Sequence, residues 1–170
     1  MRQKIIQLII ALSLVVFVNS VSAESYEDNQ NGFKLDYSDV WQESTALSAT
    51  IKFSLASSIQ AKNRRPLATL SVSVKEMDAI LPLEKYIKNN IKIASRTWSI
   101  LEEKSLPSLG ESNRLMIMER NMGRHSQKVY KLIVKNQGRV YETNCAMSKQ
   151  IVDTFESQCL AVINSFQLIP

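Results

Sequence analysis

The chain has 170 residues, with 21 lysines and arginines against 16 aspartates and glutamates, two cysteines, four glycines and one histidine. That length fits one domain able to close its core without a metal, and a formal charge of +5 is too mild to mark a nucleic-acid binder. No H-E-x-x-H pair, Cys/His cluster, phosphate-cradling glycine loop or G-x-S-x-G elbow occurs, which excludes the commonest metal, nucleotide and serine-hydrolase chemistries.

The first 23 residues read as a cleavable signal peptide. Arg2 and Lys4 give a positive start, Ile5 to Val18 is apolar apart from Gln7 and Ser13, and Val21-Ser22-Ala23 is a small-residue cleavage site. Fourteen residues of helix reach roughly 21 Å, short of the roughly 30 Å hydrocarbon core, so a signal fits better than an anchor. A lipoprotein would need cysteine at the cleavage point, and the first cysteine is Cys145. Cleavage leaves residues 24–170 with Glu24 first; without Arg2 and Lys4 the balance is 19 against 16, a net +3. The expected location is the periplasm or the extracellular space.

Residues 24–31 are polar and are expected to form a loose leader ahead of a single domain over 32–170. Phe33-Lys34-Leu35-Asp36-Tyr37 alternates with the period of a half-buried strand. Ala49, Ile51, Phe53 and Leu55 alternate with Thr50, Lys52 and Ser54 in a second strand, and Leu70, Val72 and Val74 with Ser71, Ser73 and Lys75 in a third. Gln60 to Pro66 is a basic loop between them. From Pro82 to Trp98 the period changes: Leu83, Ile87, Ile91, Ala94 and Trp98 form one helical stripe, with Lys85, Lys88, Lys92 and Arg96 on the opposite side.

Ile100 to Leu106 reads as a strand. Leu115 to Met118 is apolar at successive positions, so both of its faces should be covered. Asn121 to Arg124 and Asn136 to Gly138 are turns; Tyr130, Leu132 and Val134 alternate with Lys131 and Lys135, and Val140 to Met147 follows as another strand. The last helix is expected from about Lys149 to Asn164, with Ile151, Phe155, Cys159, Val162 and Phe166 on one face. The class is α+β, an antiparallel meander with two main helices.

Two cysteines in an exported chain favour a Cys145–Cys159 disulfide, with two buried thiols as the alternative. Thirteen residues separate them, unlike a C-x-x-C redox motif. Cys159 points at the sheet and Cys145 lies on the preceding strand, so the bond would pin the last helix to its neighbour.

Gly32-Phe33-Lys34-Leu35-Asp36-Tyr37 followed by Trp41 resembles the Gly-Phe-x-φ-x-Tyr-Pro-x-x-Trp opening of PsbP-like proteins, with Ser38 where the family has proline. Tyr141, Cys145, Phe155 and Ser165-Phe166 resemble the far end of exported bacterial members. The resemblance spans residues 30–168. It implies an α/β/α sandwich shared with Ran-binding Mog-type proteins, and non-enzymatic work as an adaptor or accessory subunit. The alternating strands allow another arrangement, with both helices on one sheet face and the N-terminal segment or a loop over the other.

No catalytic or metal-binding residue stands out, and no cofactor is expected. His125 sits beside a turn and reads as an exposed turn residue. Glu102 and Glu103 are adjacent on a strand and point to opposite faces, and Met116, Met118 and Met122 read as core filler. Lys85, Lys88, Lys92 and Arg96 are the candidate binding surface, with Lys62-Arg64-Arg65 as a second basic cluster. The expected partner is an unidentified protein of the cell envelope, or an anionic membrane surface, and not nucleic acid. The function expected is that of an exported, non-catalytic accessory or binding protein; an envelope inhibitor of immunity type, occluding a toxin or hydrolase, is the alternative.

Overall fold

Alternation along the strands fixes which side chains face inward, and pairing then aligns them into two apolar layers. The computed structural model describes residues 23–46, 48–110 and 112–170, with the side chain of Arg124 left out; the leader up to Ser22 lies outside the described residues. The strands are β1 (Ala23–Asp28), β2 (Phe33–Ser38), β3 (Trp41–Glu43), β4 (Ile51–Ser57), β5 (Ala68–Glu76), β6 (Ser99–Lys104), β7 (Asn113–Arg120), β8 (Gln127–Asn136), β9 (Arg139–Ser148) and β10 (Gln167–Leu168). The helices are α1 (Leu83–Ala94) and α2 (Val152–Ser165). No helix among the described residues is long and apolar enough to cross a membrane.

The expected single meander is two. β3-β4-β5 and β6-β7-β8-β9 are each antiparallel meanders, joined through β5 and β9 into one seven-stranded sheet of order β3-β4-β5-β9-β8-β7-β6. The β5–β9 seam runs from Ala68 opposite Met147 to Glu76 opposite Arg139. β2 joins neither meander; it pairs with β1 on one side and β10 on the other in a separate three-stranded sheet.

The segment expected as a loose leader is mostly β1. Its residues are polar and largely exposed, so no apolar alternation betrays it; backbone pairing with β2 orders it, together with Tyr26, whose ring stacks on Phe53 at 3.8 Å. The turn into β2 needs Gly32, whose φ is +74, a region that L side chains rarely adopt. Gln137 and Gly138, both at positive φ, close the β8–β9 hairpin.

The two helices cover opposite faces of the large sheet, which settles the sandwich and overturns the arrangement with both on one side. On one face, Leu55, Leu70, Val72, Leu132 and Cys145 pack with Phe155, Cys159, Val162 and Ile163 of α2 and with Phe33 and Leu35 of β2. On the other, Met116, Met118, Val129, Ile133 and Val140 pack with Leu83 and Ile87 of α1. The apolar run at 115–118 therefore has both faces covered, Leu115 and Ile117 toward α2 and Met116 and Met118 toward α1. The β4–β5 part of the α1 face carries Ser54, Ala56, Thr69 and Ser71 and lies outside the α1-side apolar cluster, and this is where the polar alternation comes from.

α2 is held at several points. Cys145 and Cys159 are joined by a disulfide with Cα atoms 5.9 Å apart, Ser38 Oγ donates to Gln158 Oε1 at 2.9 Å, and the Asp36 N–H donates to Ser165 Oγ at 2.9 Å. Trp41 of β3 meets Phe155 edge-on and Phe33 of β2 stacks on Phe166 at the end of α2, so each sheet makes an aromatic contact with the helix or its C-terminal end.

Candidate binding surface on α1

The basic side chains of α1 are presented by a helix fixed from beneath. Leu83 and Ile87 are buried, Tyr86, Asn90 and Ile91 are half-buried, and Lys85, Lys88 and Lys92 are exposed. The helix ends at Ala94, four residues before the expected limit, because Ser95 to Thr97 turn the chain toward β6. Arg96 is exposed on that turn rather than on the helix proper, and Trp98 belongs to the approach to β6. Among the described residues no carboxylate lies within ion-pair distance of Lys85, Lys88, Lys92 or Arg96.

Below the helix lies a polar cluster that the sequence did not reveal. Glu142 on β9 is the one carboxylate among the buried polar and charged residues, with its side chain 6% exposed. Lys75 Nζ of β5 donates to its Oε2 at 3.0 Å, and Lys131 Nζ of β8 lies 3.1 Å from its Oε1. Tyr86 of α1 donates its hydroxyl to Oε1 at 2.8 Å. Lys131 Nζ also donates to Asn90 Oδ1 at 2.9 Å, a second tie from sheet to helix. Burial alone would raise the Glu142 pKa; the Lys131 charge and the hydrogen bonds from Lys75 and Tyr86 outweigh it and hold the carboxyl below its usual range. For Lys75 burial acts downward and is likewise outweighed by Glu142, which raises its pKa. Both Glu142 oxygens are engaged, so the arrangement clamps α1 to the sheet instead of offering a base to a substrate.

Beyond the clamp, toward the end of α1, a groove of about 300 Å³ separates helix from sheet. Trp98, Met116, Met118 and Val129 give it apolar walls, and Lys131 and Asn144 line its polar part. Met116 and Met118 are buried as core filler requires, whereas Met122 is exposed in the β7–β8 turn. His125 is exposed in the same turn. Of the second basic cluster, Arg65 lines a cleft with His125 past the end of this groove; Lys62 and Arg64 are exposed on its loop. Glu102 and Glu103 are exposed on β6, and Glu102 pairs with Lys104 at 2.9 Å. Among the described residues no group of three His, Cys, Asp or Glu side chains could hold a metal.

No protein-family model and no curated protein matches the sequence. Solved structures do match. The cyanobacterial PsbP of Synechocystis sp. PCC 6803 superposes with a TM-score of 0.62 at 15% identity, over 89% of this chain and 95% of that one. The fold is PsbP-like. LpqN of Mycobacterium tuberculosis, involved in cell envelope biogenesis, gives a TM-score of 0.66 at 12% identity over 89% of this chain and 93% of its own. A Pseudomonas aeruginosa protein of unknown function, described as a putative regulator, gives 0.54 at 12% identity over 87% and 96%. At these identities the likeness carries the PsbP-like fold alone.

Proposed function

We propose that the chain is exported, cleaved after Ala23, and acts in the periplasm or outside the cell as a non-catalytic accessory protein that binds an acidic protein partner through α1. The observation that supports this reading is the set of exposed cations Lys85, Lys88 and Lys92 on a helix clamped to the sheet by Glu142, with Arg96 on the turn that follows, all unpaired among the described residues. A rigid cationic face loses little conformational freedom on binding and steers an acidic partner toward it. The involvement of LpqN in cell envelope biogenesis is consistent with such work in the envelope.

Charge reversal tests it. Lys88→Glu with Lys92→Glu changes two exposed side chains without core contacts, so stability should stay within about 0.5 kcal/mol of the native chain. Capture from the native envelope should return a partner with the unaltered protein and lose it with the double variant. Equal recovery by both proteins would refute the assignment of this face.

A further inference from the structure

A second cleft, of about 490 Å³, opens past the end of the α1 groove. Arg65 reaches it from the β4–β5 loop, Arg120 from the end of β7, His125 from the β7–β8 turn and Ser148 from the end of β9. No aspartate or glutamate is among the described residues that line it. The register explains the convergence, since Arg120 pairs with Gln127 and Gln127 with Ser148 across three adjacent strands.

The loop carrying Arg65 is folded back on itself. Arg64 takes a φ of +61, uncommon for a residue with a side chain. The Ala61 N–H donates to the Arg65 carbonyl at 2.8 Å, and the Arg64 N–H to the Ala61 carbonyl at 2.9 Å. Arg65 is thereby set at the rim of the cleft.

Arg120 is held more firmly. Its guanidinium carbon lies 4.7 Å from the centroid of the Trp98 ring, and one Nη donates to Gln127 Oε1 at 2.9 Å. Its Nε–H is buried and meets no acceptor. Arg114 and Arg139 each pair with a glutamate, whereas Arg120 has no carboxylate partner among the described residues. The Arg114 Nε–H is orphaned in the same way, but its guanidinium has Glu84; half-buried Arg120 combines an unmet buried donor with a charge that no carboxylate balances, a combination that an anion from outside the chain would complete.

We infer that this cleft binds the phosphate group of a small phosphomonoester. Arg120 offers a fixed fork of N–H donors and Arg65 a second cation. His125 lies beside them, and the Ser148 hydroxyl, whose oxygen accepts from the Gln150 N–H, keeps its own proton to donate. Guanidinium forks match phosphate oxygens in pairs. Charge separates phosphate from carboxylate here: two arginines balance a phosphomonoester of roughly −1.5 to −2 at pH 7 and would overcompensate a single carboxylate. The cleft is larger than a bare phosphate needs, and Pro66 and Leu67 give it an apolar wall for the remainder of the ligand. The site is separate from the exposed α1 cations and stands or falls independently of the proposed partner.

Inorganic phosphate and glycerol 3-phosphate, titrated into the purified chain at constant ionic strength, test it through Trp98 emission and phosphorus NMR line width. A saturable response is expected, absent with chloride, and Arg65→Gln should weaken it about tenfold, the loss expected for one charged hydrogen bond. Arg120→Gln should abolish it; if that variant fails to fold, Arg65→Gln combined with His125→Gln carries the test. In a parallel arm, vesicles containing phosphatidic acid distinguish the source of the phosphate. Binding of vesicles alone, lost in Arg65→Gln, assigns a lipid headgroup, and binding of glycerol 3-phosphate assigns a soluble ester. No saturable response to inorganic phosphate, glycerol 3-phosphate or the vesicles, or a response unchanged in the Arg65→Gln, His125→Gln variant, overturns the inference.

Discussion

At the residue scale, Glu142 ties β5, β8, β9 and α1 together through three side chains. Glu142→Gln removes a charge from between two lysines. It should destabilise the chain by about 2 kcal/mol, at the low end for a broken buried pair because Lys75 reaches solvent. The pH dependence follows from the direction of the shift. The carboxyl is held below the ordinary value of 4.5, so its stabilising contribution is complete above that value and is lost as pH falls through the lowered one. Urea unfolding between pH 7 and pH 3 should show an acid loss that is smaller in Glu142→Gln; identical slopes would show that the pair contributes nothing. This cluster was not legible beforehand. Lys75 and Lys131 each read as an outward-facing strand residue, and Glu142 sits in an otherwise apolar and neutral run. Only the order β5-β9-β8 brings the three to adjacent strands on one face, and that order is not written in any local pattern.

Among the elements, α2 depends most on a covalent tie. The disulfide closes a loop of sequence separation 14, for which chain entropy gives about 3 kcal/mol. A Cys145→Ser, Cys159→Ser variant should lose roughly that much in urea unfolding at pH 7, and reduction of the native chain should do the same; no loss would mean that packing of Phe155 and Phe166 alone secures the helix. The pairing could be read from the sequence because both sites lie in locally periodic segments, Cys159 on an apolar helical face and Cys145 on an alternating strand. The same logic recovers α1, whose stripe repeats every three or four residues. It overruns the C-terminus because Trp98 continues the spacing for a different reason, its contact with Arg120. β1 and β10 escape detection, one for being polar and largely exposed, the other for having two residues. Their order comes from β2 and, for β1, from the stacking of Tyr26 on Phe53.

For the whole molecule, the apolar strands announced two covered faces at 115–118, and the serines of β4 and β5 announced an open one. Both are true of different parts of one sheet, which is why alternation alone left the helix placement undecided. The pairing of β1 with β2 bears on the proposed processing. If the leader is removed after Ala23, the first residue of the mature chain is Glu24, opposite Tyr37 in β2. Mass spectrometry of the protein from its native source should find Glu24 first and no alkylatable thiol after unfolding without reductant. Retention of Met1 or two reactive thiols would refute export and cleavage.

The β5–β9 seam sets the order in which the chain can mature. Ala68 waits for Met147, so as synthesis proceeds the β3-β4-β5 ribbon stands with its inner border unpaired until nearly the entire polypeptide has emerged. Such distant pairing is slow to form, and a bare strand border invites contact with other chains in the meantime. Survival of the newborn polypeptide therefore rests on being kept apart from its neighbours until its last quarter arrives, and truncation before β9 should yield aggregates rather than a smaller stable fragment.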